Sequence, residues 1–149
     1  MKRLLLISTF IYLGNLCIAQ ECDSLVTYCY KYLTIDAKKG KVFISDGQVY
    51  QAFIDLEQSA EFKTTLYGGS TYRIATTAGT KGNYVIFNVY DQDRRLLFSN
   101  TDHKDRKNKS NAPYWDFKVE NTIDCYVEAM LDIDQKVSGC LVLLIGFSK

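Results

Sequence analysis

GQVYQAFIDLEQSAEFKTTLYGGSTYRIATTAG, residues 47 to 79, reads at a period of two along most of its length. Tyr50, Ala52, Ile54 and Leu56 alternate with Val49, Gln51, Phe53 and Asp55, and Phe62, Thr64 and Leu66 alternate with Glu61, Lys63 and Thr65. After a Gly68-Gly69 turn, Tyr72, Ile74 and Thr76 resume the pattern, up to a further turn at Gly79 to Gly82. Side chains of a strand point alternately to its two faces, so this spacing sends one apolar set into a core and leaves the other set facing out.

The pattern continues in Tyr84 to Tyr90, Leu96 to Ser99, Tyr114 to Val119, Ile123 to Leu131 and Cys140 to Phe147. About eight short strands, broken by turn residues and with no helical patterns between them, predict a mainly β domain, an antiparallel, jelly-roll-like β-sandwich. Trp115, Phe117 and Val119 are expected to face its core, with Tyr114, Asp116 and Lys118 outward. The last strand is apolar on both faces and should lie centrally in a sheet or under a cover. A cover is available upstream. Between Asp23 and Lys39 the apolar positions 25, 26, 29, 32 and 33 form a helical stripe, with Asp23 or Ser24 as cap and Gly40 as stop. The expected order is a leader over 1–19, an N-terminal α-helical segment over 20–40 and the sandwich over 41–149.

Lys2 and Arg3, an apolar run from Leu4 to Leu13 and the small-residue end Cys17-Ile18-Ala19 have the form of a secretory signal peptide, with cleavage expected after Ala19. A spanning helix needs about 20 apolar residues, more than this run supplies, and the later run Leu141 to Ile145 is shorter still. Neither Cys17, which follows Leu16, nor Cys22, which follows Glu21, has the small residue before it that a lipoprotein site requires. The expected product is exported to the periplasm or the extracellular space, with no transmembrane segment in the mature chain.

Removing those 19 residues from 149 leaves 130, one domain's worth of chain, with 16 basic and 17 acidic residues. A mature net charge of −1 argues against nucleic acid as the main partner. At 47% hydrophobic residues, with nine glycines and one proline, the composition is that of a packed globule.

Export makes the cysteines informative. Cys22, Cys29, Cys125 and Cys140 remain after cleavage, an even number that allows three pairings. Their spacings of seven, 96 and 15 lack the short chelating pairs of zinc modules, so disulfides are expected. Cys22 and Cys29 on one helix would stand about 10 Å apart, out of reach. If the last two strands form a hairpin turning near Asp134 to Lys136, Cys125 and Cys140 are out of register by roughly 17 Å. Both bridges should then tie the N-terminal segment to the C-terminal strands.

The run from Gly68 to Phe98, a glycine turn, a Tyr-Arg-Ile strand, another glycine turn and a Phe-Asn-Val-Tyr-Asp strand leading to Leu-Leu-Phe, resembles small exported bacterial sandwich modules of the prepeptidase C-terminal type. The end of the chain, with Gly139-Cys140 and Gly146-Phe147, is similar to an uncharacterised group of secreted bacterial proteins. Both resemblances imply a sandwich and export; neither brings catalytic residues.

Two sets of residues are candidates for chemistry. Asp91 with Asp93, and Asp132 with Asp134, place oxygen ligands in turns, so calcium is the one cofactor left open, although aspartates in turns commonly serve their own backbone. Tyr84, Tyr90, Tyr114 and Tyr126 fall opposite the expected core positions and could form an aromatic face that stacks on carbohydrate or covers a protein partner. The sole histidine, His103, lies in the charged segment of the 101–113 loop, where Lys104, Arg106, Lys107 and Lys109 could attract an anion but where a solvated excursion is the simpler reading. No nucleophile elbow or phosphate loop is present. The expectation is an exported, non-enzymatic binding or structural module. The alternatives are a small hydrolase using paired carboxylates, or a cell-surface assembly component that accepts a strand at a sheet edge.

Overall fold

The computed structural model describes residues 17–34, 42–55, 57–79, 85–103, 111–132 and 138–148. Expectations that fall on the leader up to residue 16, on Gly40, Tyr84 and Asp134, and on the lysine-rich part of the 101–113 loop lie outside those residues.

Among the described residues helix α1 (Cys17–Thr34) precedes nine strands: β1 (Ile44–Ser45), β2 (Tyr50–Ile54), β3 (Ser59–Leu66), β4 (Ser70–Ala78), β5 (Val85–Asp91), β6 (Leu96–Ser99), β7 (Tyr114–Val119), β8 (Ile123–Leu131) and β9 (Gly139–Ser148). The strands form two antiparallel sheets, so the predicted sandwich is the fold. In the larger sheet β9 pairs on one side with both β1 and β2 and on the other with β4, which in turn pairs with β7. The smaller sheet has the order β3-β8-β5-β6. The chain changes sheet at nearly every connection, and β5–β6 is its one sequential pair among the strands described.

That crossing pattern corrects the hairpin expected of the last two strands. Cys125 in β8 pairs with Thr64 and Asp91 in the smaller sheet, whereas Cys140 in β9 pairs with Phe53 in the larger one. β1 is the strand that the alternation did not reveal, because two residues carry no period.

Alternation decides what fills the space between the sheets. Leu66, Ile74, Phe87, Val127, Leu141 and Ile145 are buried there, and Trp115, Phe117 and Val119 face the same core as expected. Phe98 stacks on Trp115 at 5.3 Å between ring centres and closes one side of the sandwich, while Tyr50 meets Phe62 at 5.0 Å on the other. Asn100, wholly buried, accepts from Phe87 N at 2.9 Å and donates to the carbonyls of Val85 and Ala112, which anchors both ends of the 101–113 excursion to β5.

A second, smaller core lies between α1 and the outer face of the larger sheet. Leu25, Cys29 and Leu33, spaced one helical turn apart, bury against Ala75, Cys140, Val142 and Leu144. β9 is therefore both central in its sheet and covered by the helix, which explains why it is apolar on both faces. Leu33 seats on Gly146, where a Cβ would stand 2.7 Å from Leu33 Cδ1, so the absence of a side chain there sets how closely the helix approaches. Full burial of each leucine contributes about 1.5–3 kcal/mol.

The helix differs from its expected limits. It already runs at Cys17, so Asp23 and Ser24 sit inside it and not at its start. A cut after Ala19 would remove its first three described residues and leave the buried stripe intact.

One disulfide joins Cys22 to Cys140, with Cα atoms 5.6 Å apart, and ties the helix to β9. The second expected bridge does not form: Cys29 and Cys125 are free and buried, one under the helix and the other between the sheets. The larger sheet lies between these two thiols.

Candidate functional site

Helix α1 covers the outer face of the larger sheet; among the described residues nothing covers the outer face of the smaller one. The outward positions of β3, β8 and β5 therefore have solvent in front of them, and strand register decides which side chains meet. Lys63 stands opposite Tyr126, and Tyr126 opposite Tyr90, making one row across three strands. Glu61, Glu128 and Asn88 make the next row.

The turn between β5 and β6 adds a cation to this face. Asp91 Oδ1 accepts from the backbone N–H groups of Asp93 and Arg95, both at 2.9 Å, and Arg94 N donates to the Asp91 carbonyl at 3.1 Å. These bonds hold Arg94 at φ 62°, a left-handed conformation that costs a side-chain-bearing residue about 1–2 kcal/mol. The strain points Arg94 back over the sheet. Its guanidinium lies 4.0 Å from the centre of the Tyr126 ring and grips both carboxylate oxygens of Glu61. That hydrogen-bonded cation pulls the Glu61 carboxyl below its ordinary pKa and raises that of Arg94 in return.

Glu128 is equally committed. It accepts from Ser59 Oγ at 3.0 Å, Tyr90 Oη at 3.1 Å and Asn88 Nδ2 at 3.4 Å. Burial, and then the bond to Glu128 and its charge, push the Tyr90 phenol above its usual pKa. The face is a cross-braced surface of two tyrosines, two carboxylates and two cations.

Of the four tyrosines expected on one aromatic face, the structure brings together Tyr90 and Tyr126. Tyr114 lies on the other sheet, under the helix, with its ring 4.2 Å from the Arg73 guanidinium. A single four-tyrosine row is thus ruled out, because β7 and β5 belong to different sheets. Asp91 and Asp93 are spent on the turn: Asp91 Oδ2 accepts from Arg95 Nε at 2.7 Å, and Asp93 Oδ2 from Arg95 Nη2 at 3.3 Å. Asp132 is buried. Among the described residues no group of three or more His, Cys, Asp or Glu side chains is placed to hold a metal ion.

Sequence reading missed Glu61, Arg94 and Glu128. The alternation does mark Glu61 and Glu128 as outward, but not that residues 67 positions apart become neighbours, and Arg94 owes its aim to a turn conformation that the sequence leaves unstated.

No protein-family model matches the sequence, and no curated protein matches it. Among solved structures it is similar to that of Aeromonas hydrophila PliG, a periplasmic lysozyme inhibitor of g-type lysozyme, with a TM-score of 0.44 and 8% identity over 77% of this chain and 94% of that one. A likeness of that degree assigns no residue or activity to this chain. No helix among the described residues is long and apolar enough to cross a membrane.

Proposed function

We propose that this chain is an exported, non-enzymatic binding module that recognises a protein partner through the outer face of its smaller sheet. The observation that carries the reading is the Glu61–Arg94–Tyr126 arrangement beside Tyr90 and Glu128, in which polar and aromatic groups are ordered before any partner arrives. Tyrosine and arginine are the residues enriched at the energetic centres of protein interfaces, and ordering them in advance lowers the entropy lost on binding. Carbohydrate is disfavoured because Arg94 occupies the Tyr126 ring face on which a sugar would stack. Export rests on the leader pattern and on a disulfide of a kind that persists in oxidising compartments.

The hydrolase reading loses ground on the same face. Glu61 and Glu128 are adjacent, but a general acid needs a raised carboxyl pKa and that of Glu61 is lowered. Strand addition has one observation behind it: among the described strands β2 pairs only with β9, and it carries no charge and leaves Phe53 60% exposed.

A photo-reactive amino acid placed in turn at Tyr126, at Phe53 and at Tyr28 on the exposed side of the helix tests these readings in the native host. A discrete protein adduct from position 126, absent at 28 and 53, is the expected result. An adduct from 53 alone favours strand addition. Glycan-array binding without a protein adduct replaces the proposed partner by a carbohydrate.

A further inference from the structure

At one end of the sandwich the two sheets part around a cavity of about 350 Å³. Its apolar wall is built by Leu66 from the smaller sheet and by Tyr72, Ile145 and Phe147 from the larger. Beside it the partner of the β9 edge changes: β1 ends at Ser45 and β2 begins at Tyr50, both paired with β9, and Asp46 lies in the connection between them. The volume is at the low end of the range for small-molecule sites, and the lining matches their usual make-up of apolar surface with a few polar groups.

The polar groups are placed by the backbone. Asp46 N donates to the Ile145 carbonyl at 3.0 Å, which fixes that residue at the cavity wall, and Asp46 Oδ1 accepts from Gln48 N at 2.9 Å. Tyr72 Oη accepts from Tyr67 N at 2.8 Å and is thereby held in the wall. Among the residues that line the cavity Asp46 is the sole charged one, and Thr64 contributes a hydroxyl. Burial raises the Asp46 carboxyl pKa against the Gln48 hydrogen bond that lowers it, and burial first, then the Asp46 charge, raise the pKa of the neighbouring Tyr50. The Asp46 carboxylate stands at the exposed rim of the cavity, with no cation among the lining residues.

We propose that this cavity binds a small cationic amphiphile, with its ammonium group at Asp46 and its apolar body against Leu66, Tyr72, Ile145 and Phe147. An ammonium supplies the counter-charge that the site lacks, while the apolar body displaces solvent from the wall. An anion of the same shape meets the Asp46 charge and binds more weakly. The site is separate from the sheet face proposed to bind protein and stands or falls independently of it.

Phenethylamine, phenylacetate and 2-phenylethanol share an apolar body and differ in the charge of the head group. Two-dimensional NMR titration of the full chain with each, followed at the methyl groups of Leu66 and Ile145, reads the site directly. Saturable shifts in the millimolar range are expected for the amine, with phenylacetate weaker by about tenfold or more. Asp46→Asn should bring the three ligands to within about twofold of one another. Thr64→Leu, which narrows the cavity, should weaken all three. No shift at the lining residues, equal binding of amine and carboxylate by the unaltered chain, or a preference for the amine that survives in D46N would overturn the proposal. D46N keeps the test decisive if Thr64→Leu does not fold, because Asp46 lies in an exposed loop.

Discussion

Arg73 Nε donates to Asp116 Oδ1 at 2.6 Å and Arg73 Nη2 to Asp116 Oδ2 at 2.8 Å, so a wholly buried guanidinium and a carboxylate 27% exposed form a two-pronged pair across β4 and β7. The third nitrogen, Nη1, donates to the Tyr32 carbonyl at 3.1 Å near the end of α1, and the rings of Phe43 and Tyr114 each lie 4.2 Å from the guanidinium. Carbonyls at a helix C-terminus carry partial negative charge, so Arg73 fastens the helix to the sheet by charge as well as geometry. Asp116→Ala leaves the buried cation without its counter-charge, and urea denaturation should show a loss of about 3 kcal/mol. Arg73→Met, which removes the charge while keeping much of the volume, should cost less than D116A. The reverse order would show that Asp116 matters little to the buried charge.

The disulfide fastens the same helix nearer its start. Cys22 and Cys140 are 118 residues apart in sequence, a long loop closed in the unfolded chain, and removal of such a bridge costs about 2–5 kcal/mol. Cys22→Ser with Cys140→Ser should lower stability by that amount and speed amide exchange around Leu25 more than around Leu33, which stays beside the Arg73 anchor. Uniform acceleration along α1 would mean that the two fastenings act as one. In the unreduced protein, mass spectrometry should find one bridge and two thiols.

Those thiols should be inert and should make stability depend on pH. Burial pushes Cys29 from 9.0 up to about 12 and Cys125 from 9.0 up to about 11. For Cys29 the native state therefore keeps a proton between pH 9 and 12 that the unfolded state gives up, and stability falls as pH rises through that window. The full slope for one such group is about 1.4 kcal/mol per pH unit. Between pH 10 and 11 the intact chain should lose more stability than Cys29→Ala by an amount approaching that slope. Equal losses would place the Cys29 thiol in contact with water. A disulfide reagent at pH 8 should modify neither thiol until denaturant is added.

The left-handed turn residue gives a test of strain. Arg94→Gly removes the conformational penalty at φ 62° together with the contacts to Glu61 and Tyr126, whereas Arg94→Ala removes the contacts alone. The glycine variant should be the more stable of the two by about 1 kcal/mol or somewhat less, the unfolded-state entropy of glycine offsetting part of the relief. An alanine variant as stable as the glycine variant would show that the turn relaxes without strain.

Local signals were legible and long-range pairings were not. The alternation of β2 to β4 and β7 named the core side of each strand, and the stripe of Leu25, Cys29 and Leu33 named the helix, because each depends on neighbours within one element. Arg73 shows the limit. In the alternation Tyr72-Arg73-Ile74 it stands at an outward position, which in a bare sheet means solvent; here the outward side is roofed by α1, so the residue is buried. The same limit misplaced the second disulfide. Whether Cys125 lies near the helix depends on the sheet that β8 joins, and a sandwich whose chain crosses at nearly every connection gives no local sign of that choice.

Tyr126 is the residue on which the recognition face turns. Arg94 lies 4.0 Å and Lys63 5.8 Å from the centre of its ring, and its strand neighbours on either side are Lys63 and Tyr90. Each of these groups is held from the exposed side of the sheet, while Val127 and Cys125, which flank Tyr126 in the chain, do the packing within. Tyr126→Ala should therefore leave the melting transition and the core methyl NMR shifts nearly unchanged while abolishing the adduct that a photo-reactive residue placed at position 90 forms with the partner. Phe at 126 keeps the ring under Arg94 and should retain the adduct; loss in Tyr126→Phe as well would move the recognition from the cation-covered ring to the phenolic hydroxyl. Retention of that adduct by Tyr126→Ala would show that the partner docks on this face without the Tyr126 ring.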